Sequence, residues 1–179
     1  YGDPNIEFHA DDRGRVAMFS SFPYDAEVAV VEVNVENGAI EILKFVSVHD
    51  CGNMLNPLIV RGQHIGALAH GFGGALYEEL PYNEEGQPLA ASFKDYFIPT
   101  AMEIPSLTLD HIVTPNPFTP GGFKGAGETG TVGPPAVLAN AIEDALRPLG
   151  IKIRSVPLSP SYLWSLIERA QSSKQPDRR

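Results

Sequence analysis

The sequence predicts an α+β fold in which a mixed sheet is packed by helices, and three observations carry that expectation. Near the N-terminus, Val28, Val30 or Val31, Val33 and Val35 alternate with polar neighbours, and a second apolar run from Ile40 to Val48 follows Asn37-Gly38. Between Pro57 and Glu79 the apolar spacing lengthens to that of a helix, and glycine and alanine crowd the same segment. Further on, GGFKGAGETGTVGPP, Gly121 to Pro135, is a glycine-rich stretch leading into an apolar segment.

The first element is a β-hairpin, because Asn37-Gly38 supplies the positive φ angles of a tight turn between two alternating runs. HDCGNMLNP then breaks the strand. Asn56 is placed to cap a helix and Pro57 suits its first turn, so the roughly helical spacing of Ile59, Leu68, Phe72, Leu76 and Leu80 predicts a helix over 57–79. A glycine in an exposed helix costs about 1 kcal/mol relative to alanine. The load of small residues here, among them Gly62, Gly66, Gly71, Gly73 and Gly74, therefore predicts a central helix approached closely by another backbone or a ligand.

SLTLDHIV, Ser106 to Val113, alternates as a strand, and TPNPFTPGGFKGAGETG is a long proline- and glycine-punctuated loop of the kind that is functional or disordered. A second helix is expected from about Gly133 to Leu146, with Pro134 and Pro135 at its start. A short strand at IKIRSV, a helix near Ser161 to Ala170 and a polar tail over 171–179 complete the chain. Residues 1–170 are expected to form one domain.

With 179 residues, 43% of them hydrophobic, there is enough apolar material for a core. The 22 acidic residues outnumber the 13 basic ones, for a formal charge of −9, and no basic stripe appears before the tail. Nucleic acid is thereby disfavoured as a partner. A single cysteine, Cys51, excludes an internal disulfide and any cysteine-ligated iron–sulfur cluster or zinc ribbon built from this chain alone, and points to a reducing compartment. No window approaches a membrane span and the N-terminus lacks a signal-peptide layout, so a soluble, cytoplasmic protein is expected.

GAGETG, Gly125 to Gly130, fits the spacing G-x-G-x-x-G, but no strand runs into it, as a dinucleotide-binding turn requires. Lys124 is followed by Gly125 rather than Ser or Thr, which excludes a P-loop. What survives is the physics shared by both motifs: free N–H groups ahead of a helix N-terminus favour an anion. Glu128 is the odd residue in such a loop. Either it caps the following helix, or it sits beside a desolvated centre where its pKa is pushed up and it acts as a general base. His64 and His70, six apart, do not share a helix face, so zinc is not expected and both histidines are assigned structural or surface roles.

KGAGETGTVGPPAVLANAIEDAL (Lys124 to Leu146), together with VHDCGNMLNPLIVRGQHIGALAHGFGGALYEEL (Val48 to Leu80), closely resembles the C-terminal part of the large subunit of molybdenum hydroxylases. That family includes xanthine dehydrogenase, aldehyde oxidoreductase and aerobic carbon monoxide dehydrogenase, and the resemblance covers roughly residues 15–170. It implies a molybdopterin-binding domain with Glu128 beside the molybdenum as the general base that activates a water-derived oxygen for attack on a substrate carbon. Lys124, Gly125, Ala126 and Gly127 would line the metal and pterin, and Gly62-Gln63 would belong to the same environment. Asp50, Cys51, Gly52 and Asn56 would shape the pocket, Cys51 as a small buried residue. Molybdenum would be held through the pterin, not by side chains.

The resemblance further implies a molybdopterin cytosine dinucleotide cofactor, as in bacterial members, with iron–sulfur clusters and a flavin on partner chains. The remainder of the large subunit, an iron–sulfur subunit and an FAD subunit are the expected partners of an obligate hetero-oligomer that oxidises a small molecule. The chain would be a separately encoded C-terminal subunit or a fragment. The other reading is a non-catalytic scaffold that keeps the fold without cofactor.

Overall fold

The computed structural model describes residues 9–16, 18–19 and 21–173. A three-stranded sheet is formed by β1 (Tyr24–Val33), β2 (Ile40–Asp50) and β3 (Leu107–His111), in that order, with β1 and β2 antiparallel and β2 and β3 parallel. Three helices accompany it: α1 (Pro57–Phe72), α2 (Thr129–Ala145) and α3 (Pro160–Ser172). This is the mixed sheet with packed helices that the sequence predicts.

The hairpin forms, but its connection is longer than a two-residue turn: Asn34 N–H donates to the Ala39 carbonyl and Gly38 N–H to the Asn34 carbonyl. Gly38 has φ +73°, and a Cβ there would collide with the backbone of Pro160 and Trp164 at the start of α3. The phase of β1 is set by what it pairs with. Ala29, Val31 and Val33 face the core opposite Phe45, Ile42 and Ile40, while Val28 and Val30 lie on the outer face. Toward the other end of the hairpin the inner face turns polar, with Glu27 opposite Ser47 and Asp25 opposite His49.

Asn56 caps α1 by accepting from the N–H groups of Leu58 and Ile59. The α-helix ends at Phe72 and continues as one π-turn, Gly73–Tyr77, so the expected helix over 57–79 stops two residues early. Its buried line is Leu68, Phe72 and Leu76, whereas Ile59 and Leu80 are exposed. Phe45 and Phe72 meet edge to face, and Leu138, Ile142, Leu158, Leu163 and Ile167 close the core around them.

Helix α2 starts at Thr129, four residues before the expected Gly133, and so contains Pro134 and Pro135. A proline removes one intrahelical donor and crowds the preceding turn. The crowding at Pro134 is accommodated where α2 meets α1: a Cβ at Gly71 would strike the Pro134 ring and the Thr131 carbonyl, so glycine there admits the proline turn. Two expectations fail near the C-terminus. IKIRSV forms no strand, because Ile153 N–H donates to the Glu143 carboxylate instead of to a neighbouring strand. The other concerns the last helix, which runs to Ser172, two residues past the expected Ala170, while residues 174–179 of the expected polar tail lie outside the described residues.

The glycines of α1 divide into two kinds, and substitution separates them. Gly71→Ala is expected to destabilise the chain by about 1–3 kcal/mol through overpacking against α2. At Gly66, where a Cβ meets nothing within 4 Å, alanine should instead stabilise by about 0.5–1 kcal/mol. Urea unfolding of the two variants beside the parent chain measures both signs.

Candidate functional site

The segment after β2 and the glycine-rich loop are clipped together backbone to backbone. Lys124 N–H donates to the Cys51 carbonyl at 2.8 Å and Asn53 N–H to the Gly122 carbonyl at 3.1 Å, with Gly52 opposite Phe123. Gly52, at φ +68°, leaves no room for a side chain beside Gly122. At the centre of the clip is Asp50, buried at the end of β2. It accepts from Gly52 N–H at 2.8 Å, from Thr114 N–H at 3.2 Å, from the Thr114 hydroxyl, and from the Lys124 ammonium at 3.0 Å. Burial by itself would raise its pKa, but the Gly52 amide, the Lys124 ammonium and the Thr114 amide outweigh it and hold the carboxyl below its ordinary range.

This arrangement assigns the side chain of Lys124. Its ammonium lies against Asp50 and over the Tyr24 ring, 4.6 Å from the centroid, and is nearly buried. The part of Lys124 that meets the loop's surroundings is therefore its backbone. Cys51 is buried, with its thiol pKa pushed up chiefly by burial, and Asn56 spends its side chain on the cap of α1.

Beyond Lys124 the chain opens. Gly125, Ala126, Gly127 and Glu128 line a cleft of about 800 Å³, with Thr129, Val132, Gly133, Ala136, Val137 and Asn140 of α2 on one side and Pro23, Asp25 and Glu27 on the other. Glu128 occupies the N-cap position of α2 but its side chain makes no capping bond, and it is exposed. Gly127 sits beside Gln63: a Cβ there would be 3.7 Å from the Gln63 amide nitrogen. Gly62 and Gly125 each border open space, and Gln63 is exposed. The structure thus brings Gln63 beside the loop formed by Gly125, Ala126, Gly127 and Glu128, with Gly62 preceding Gln63 in α1, and leaves Asp50, Cys51, Gly52, Asn56 and the Lys124 side chain as support.

A polar group that the sequence reading missed lies beneath the same cleft. The Ser47 hydroxyl donates to Asp25 Oδ1 at 2.7 Å, so His64 Nε2, 2.7 Å from the same hydroxyl, must carry the ring proton that Ser47 accepts. His64 stacks on His49 with centroids 4.5 Å apart. Burial lowers the pKa of both imidazoles and outweighs the opposing charge of Asp25, which keeps them neutral at physiological pH. Since the hydroxyl proton is committed to Asp25 and Ser47 is fully buried, the trio is not a nucleophile activated by histidine.

Asp25 Oδ2, both carboxyl oxygens of Glu27, His64 Nδ1 and Thr129 Oγ1 are buried without a hydrogen-bond partner among the described residues. Glu27 lies against Gly133, and burial, assisted by the charge of Asp25, raises its pKa to about 8. The signal available in the sequence was the pairing of two acidic residues at 25 and 27 with the inward phase of β1, which becomes visible only once the register is known. Among the described residues no cluster of three or more His, Cys, Asp or Glu side chains could hold a metal ion, and no helix is long and apolar enough to cross a membrane.

A molybdopterin would be held by amides, and the loop offers them. Among the described residues the N–H groups of Gly125, Ala126 and Gly127 have no backbone partner, and the uncapped first turn of α2 presents further donors. The exposed Gln63 amide stands next to them. This donor set fits an anionic, hydrogen-bonding pterin.

Comparison with known proteins shows the family of the chain. A family model described as a molybdopterin cofactor-binding domain matches residues 5–105. The chain is 40% identical over 148 residues to the 6-hydroxypseudooxynicotine dehydrogenase complex subunit gamma of Paenarthrobacter nicotinovorans, covering 81% of the chain and 18% of the relative. It is 36% identical over 149 residues to the carbon monoxide dehydrogenase large chain of Afipia carboxidovorans, covering 83% and 18%. Among solved structures it superposes on Cu,Mo-CO dehydrogenase in its carbon monoxide reduced state with a TM-score of 0.80 at 36% identity, over 83% of this chain and 19% of that one. The chain therefore spans about a fifth of the length of these relatives.

The two kinds of buried carboxyl give stability terms of opposite sign. Asp50, with its pKa lowered, contributes stability that is present above its unfolded pKa and is lost as pH falls through the folded value. Glu27, raised from the ordinary 4.5 to about 8, contributes stability that is present at low pH and lost as pH rises across that interval. Unfolding free energies measured from pH 4 to pH 9 should show the alkaline decline flatten in Glu27→Gln. Lys124→Met, which strands the buried Asp50, should cost about 3 kcal/mol at neutral pH.

Proposed function

Because the chain belongs to the molybdopterin cofactor-binding domains of the molybdenum hydroxylases, we propose that it is the catalytic C-terminal portion of such an enzyme, with Glu128 as general base. The observation that carries this reading is the placement of Glu128. It stands exposed at the head of α2, free of any capping bond, at the end of a loop whose amides are open and beside Gln63.

A bound molybdenum cofactor would supply the two-electron oxidation. The chain's own residues do the rest. Amides of Gly125 to Gly127 and the Gln63 side chain orient the pterin, and Gly62 keeps the approach clear of side-chain atoms. A glutamate that spends nothing on its helix is free to take a proton from a water-derived nucleophile, so that oxygen can add to a carbon of the substrate. Asp50 and Lys124, far from the reacting atoms in function, hold the loop in place.

The cofactor form suited to an uncapped helix N-terminus with free amides is a dinucleotide, molybdopterin cytosine dinucleotide, whose phosphates such donors accept. The substrate is a small molecule with an oxidisable carbon. The relatives' names give examples of the range, from 6-hydroxypseudooxynicotine to carbon monoxide. Electrons leave through iron–sulfur clusters and a flavin on partner chains, in a cytoplasmic complex that also contains the rest of the large subunit.

Glu128→Gln in the assembled complex tests the base. The substitution keeps size and polarity but cannot accept the proton, so turnover should fall by roughly two orders of magnitude or more while molybdenum content is retained. Unchanged turnover would sink the base assignment. Absence of molybdenum from the parent complex would turn the reading to a scaffold.

A further inference from the structure

Glu128 stands at the N-cap position of α2 without making a capping bond, so its place is set from outside its own helix. The contacts that set it come from α1 and follow chain order. Gln63 lies beside Gly127, His64 against Gly130, the Ala67 carbonyl accepts from the Thr131 hydroxyl at 3.1 Å, and Gly71 meets Pro134. Of these four α1 residues, His64 is the one that presents a buried polar side chain. We propose that His64 is a positioning residue for Glu128, fixing the first turn of α2 through Gly130 and so leaving the glutamate side chain free. This rests on the reading of Glu128 as the base.

The ring meets α2 by its Cε1–Nδ1 edge. A Cβ on Gly130 would lie 3.1 Å from both of those atoms and from Leu68 Cγ, tighter than ordinary van der Waals contact. Glycine thus lets the turn close directly onto the ring, and Gly130 is two residues from Glu128. A shift of the imidazole is therefore passed to the head of the helix.

The orientation of the ring is fixed from the sheet. The Ser47 hydroxyl donates to Asp25 Oδ1 at 2.7 Å and accepts from His64 Nε2–H at 2.7 Å, while Asp25 Oδ2 lies 3.5 Å from the same nitrogen. His49 stacks on the ring face. One N–H thus faces oxygens of β1 and β2, and a neutral ring then carries its lone pair on Nδ1. That lone pair belongs to the edge that meets α2, where the uncapped first turn is the positive end of the helix dipole. Nδ1 makes no direct hydrogen bond among the described residues, so its attraction is to the turn as a whole. The opposite tautomer would turn an N–H toward the same positive end. Asp25 and Ser47 accordingly select the tautomer, and His64 carries their hold to α2.

The test uses the assembled holoenzyme with His64→Leu, His64→Gln and Ser47→Ala, each alone and combined with Glu128→Gln. His64→Leu keeps bulk but loses both the N–H and the lone pair. It should lower kcat by about tenfold, as a small misplacement of a reacting group does, with KM and molybdenum content retained. His64→Gln, whose amide can donate to Ser47, should recover kcat to within about threefold of the parent. Ser47→Ala, which releases the choice of tautomer, should fall between the two. In the Glu128→Gln background His64→Leu should change the rate by less than about twofold, because a misplaced base costs nothing once the base is gone. Amide hydrogen exchange over 125–132 should quicken by about fivefold in His64→Leu, the worth of one lost interaction, and stay near the parent in His64→Gln.

A loss that recurs undiminished in the Glu128→Gln background would overturn the proposal, since His64 would then act on the core and not through the base. Unchanged kcat in His64→Leu, or a loss of molybdenum in step with the rate, would do the same. If His64→Leu does not assemble, the same cycle and the same exchange measurement on Ser47→Ala decide the question. Full activity in Glu128→Gln would instead remove the base reading. An inactive Glu128→Gln together with unaltered exchange in His64→Leu and Ser47→Ala would overturn the positioning role alone.

Discussion

The buried carboxylate of Asp50 is the constraint on which the site depends. Three segments end on it: the chain just after β2 through Gly52, the exit from β3 through Thr114, 64 residues on, and the entry to the glycine-rich loop through Lys124, 74 residues on. A buried charge is costly unless it is paired and its remaining lone pairs are satisfied. Asp50 meets that condition only when all three segments are present together. The long loop that composition alone would leave functional or disordered is therefore held at its near end by a fixed point, and its free amides begin immediately after the residue that is pinned.

Where the site lies follows from the inner face of the hairpin. From the turn toward the open ends of β1 and β2 the paired residues run Val33 with Ile40, Val31 with Ile42, Ala29 with Phe45, then Glu27 with Ser47 and Asp25 with His49. The first three pairs belong to the core, under α1, α2 and α3. The last two are polar and meet His64 of α1 and Gly133 of α2, and Asp25 and Glu27 line the cleft with Glu128. One continuous sheet face thus serves as core at one end and lines the cleft at the other. The close approach of Gly71, near the end of α1, to Pro134 fixes the start of α2 against α1.

Much of this was legible in the residues. The hairpin, the helix capped by Asn56 and the strand at 107–111 each had a local signal of periodicity or capping. What was not legible depended on tertiary partners. The segment at 151–156 alternates like a strand, yet Glu143 takes the hydrogen bond that a strand neighbour would have taken. Helix α2 begins before its prolines because Gly71 makes room for them, which no local rule indicates. Lys124 looks like an anion-binding residue in a glycine-rich loop until Asp50, 74 residues away, claims it. The inward phase of β1 was ambiguous because valines occupy both faces, and with it the burial of Asp25 and Glu27 stayed hidden.

An anion-seeking loop and three carboxyls within one cleft are at first sight in conflict, and geometry and protonation together resolve it. The loop runs between two neighbours: Gly127 lies by Gln63 of α1, while Glu128 opens toward β1. Donors and acids are thereby distributed to different sides of a single turn. On the acid side, burial holds Glu27 neutral near physiological pH, which leaves less negative charge in the cleft than the sequence counts. The same desolvation that would make an unpaired glutamate a liability in a core makes it compatible with an anionic ligand nearby. Charge in this site is therefore set by burial as much as by composition.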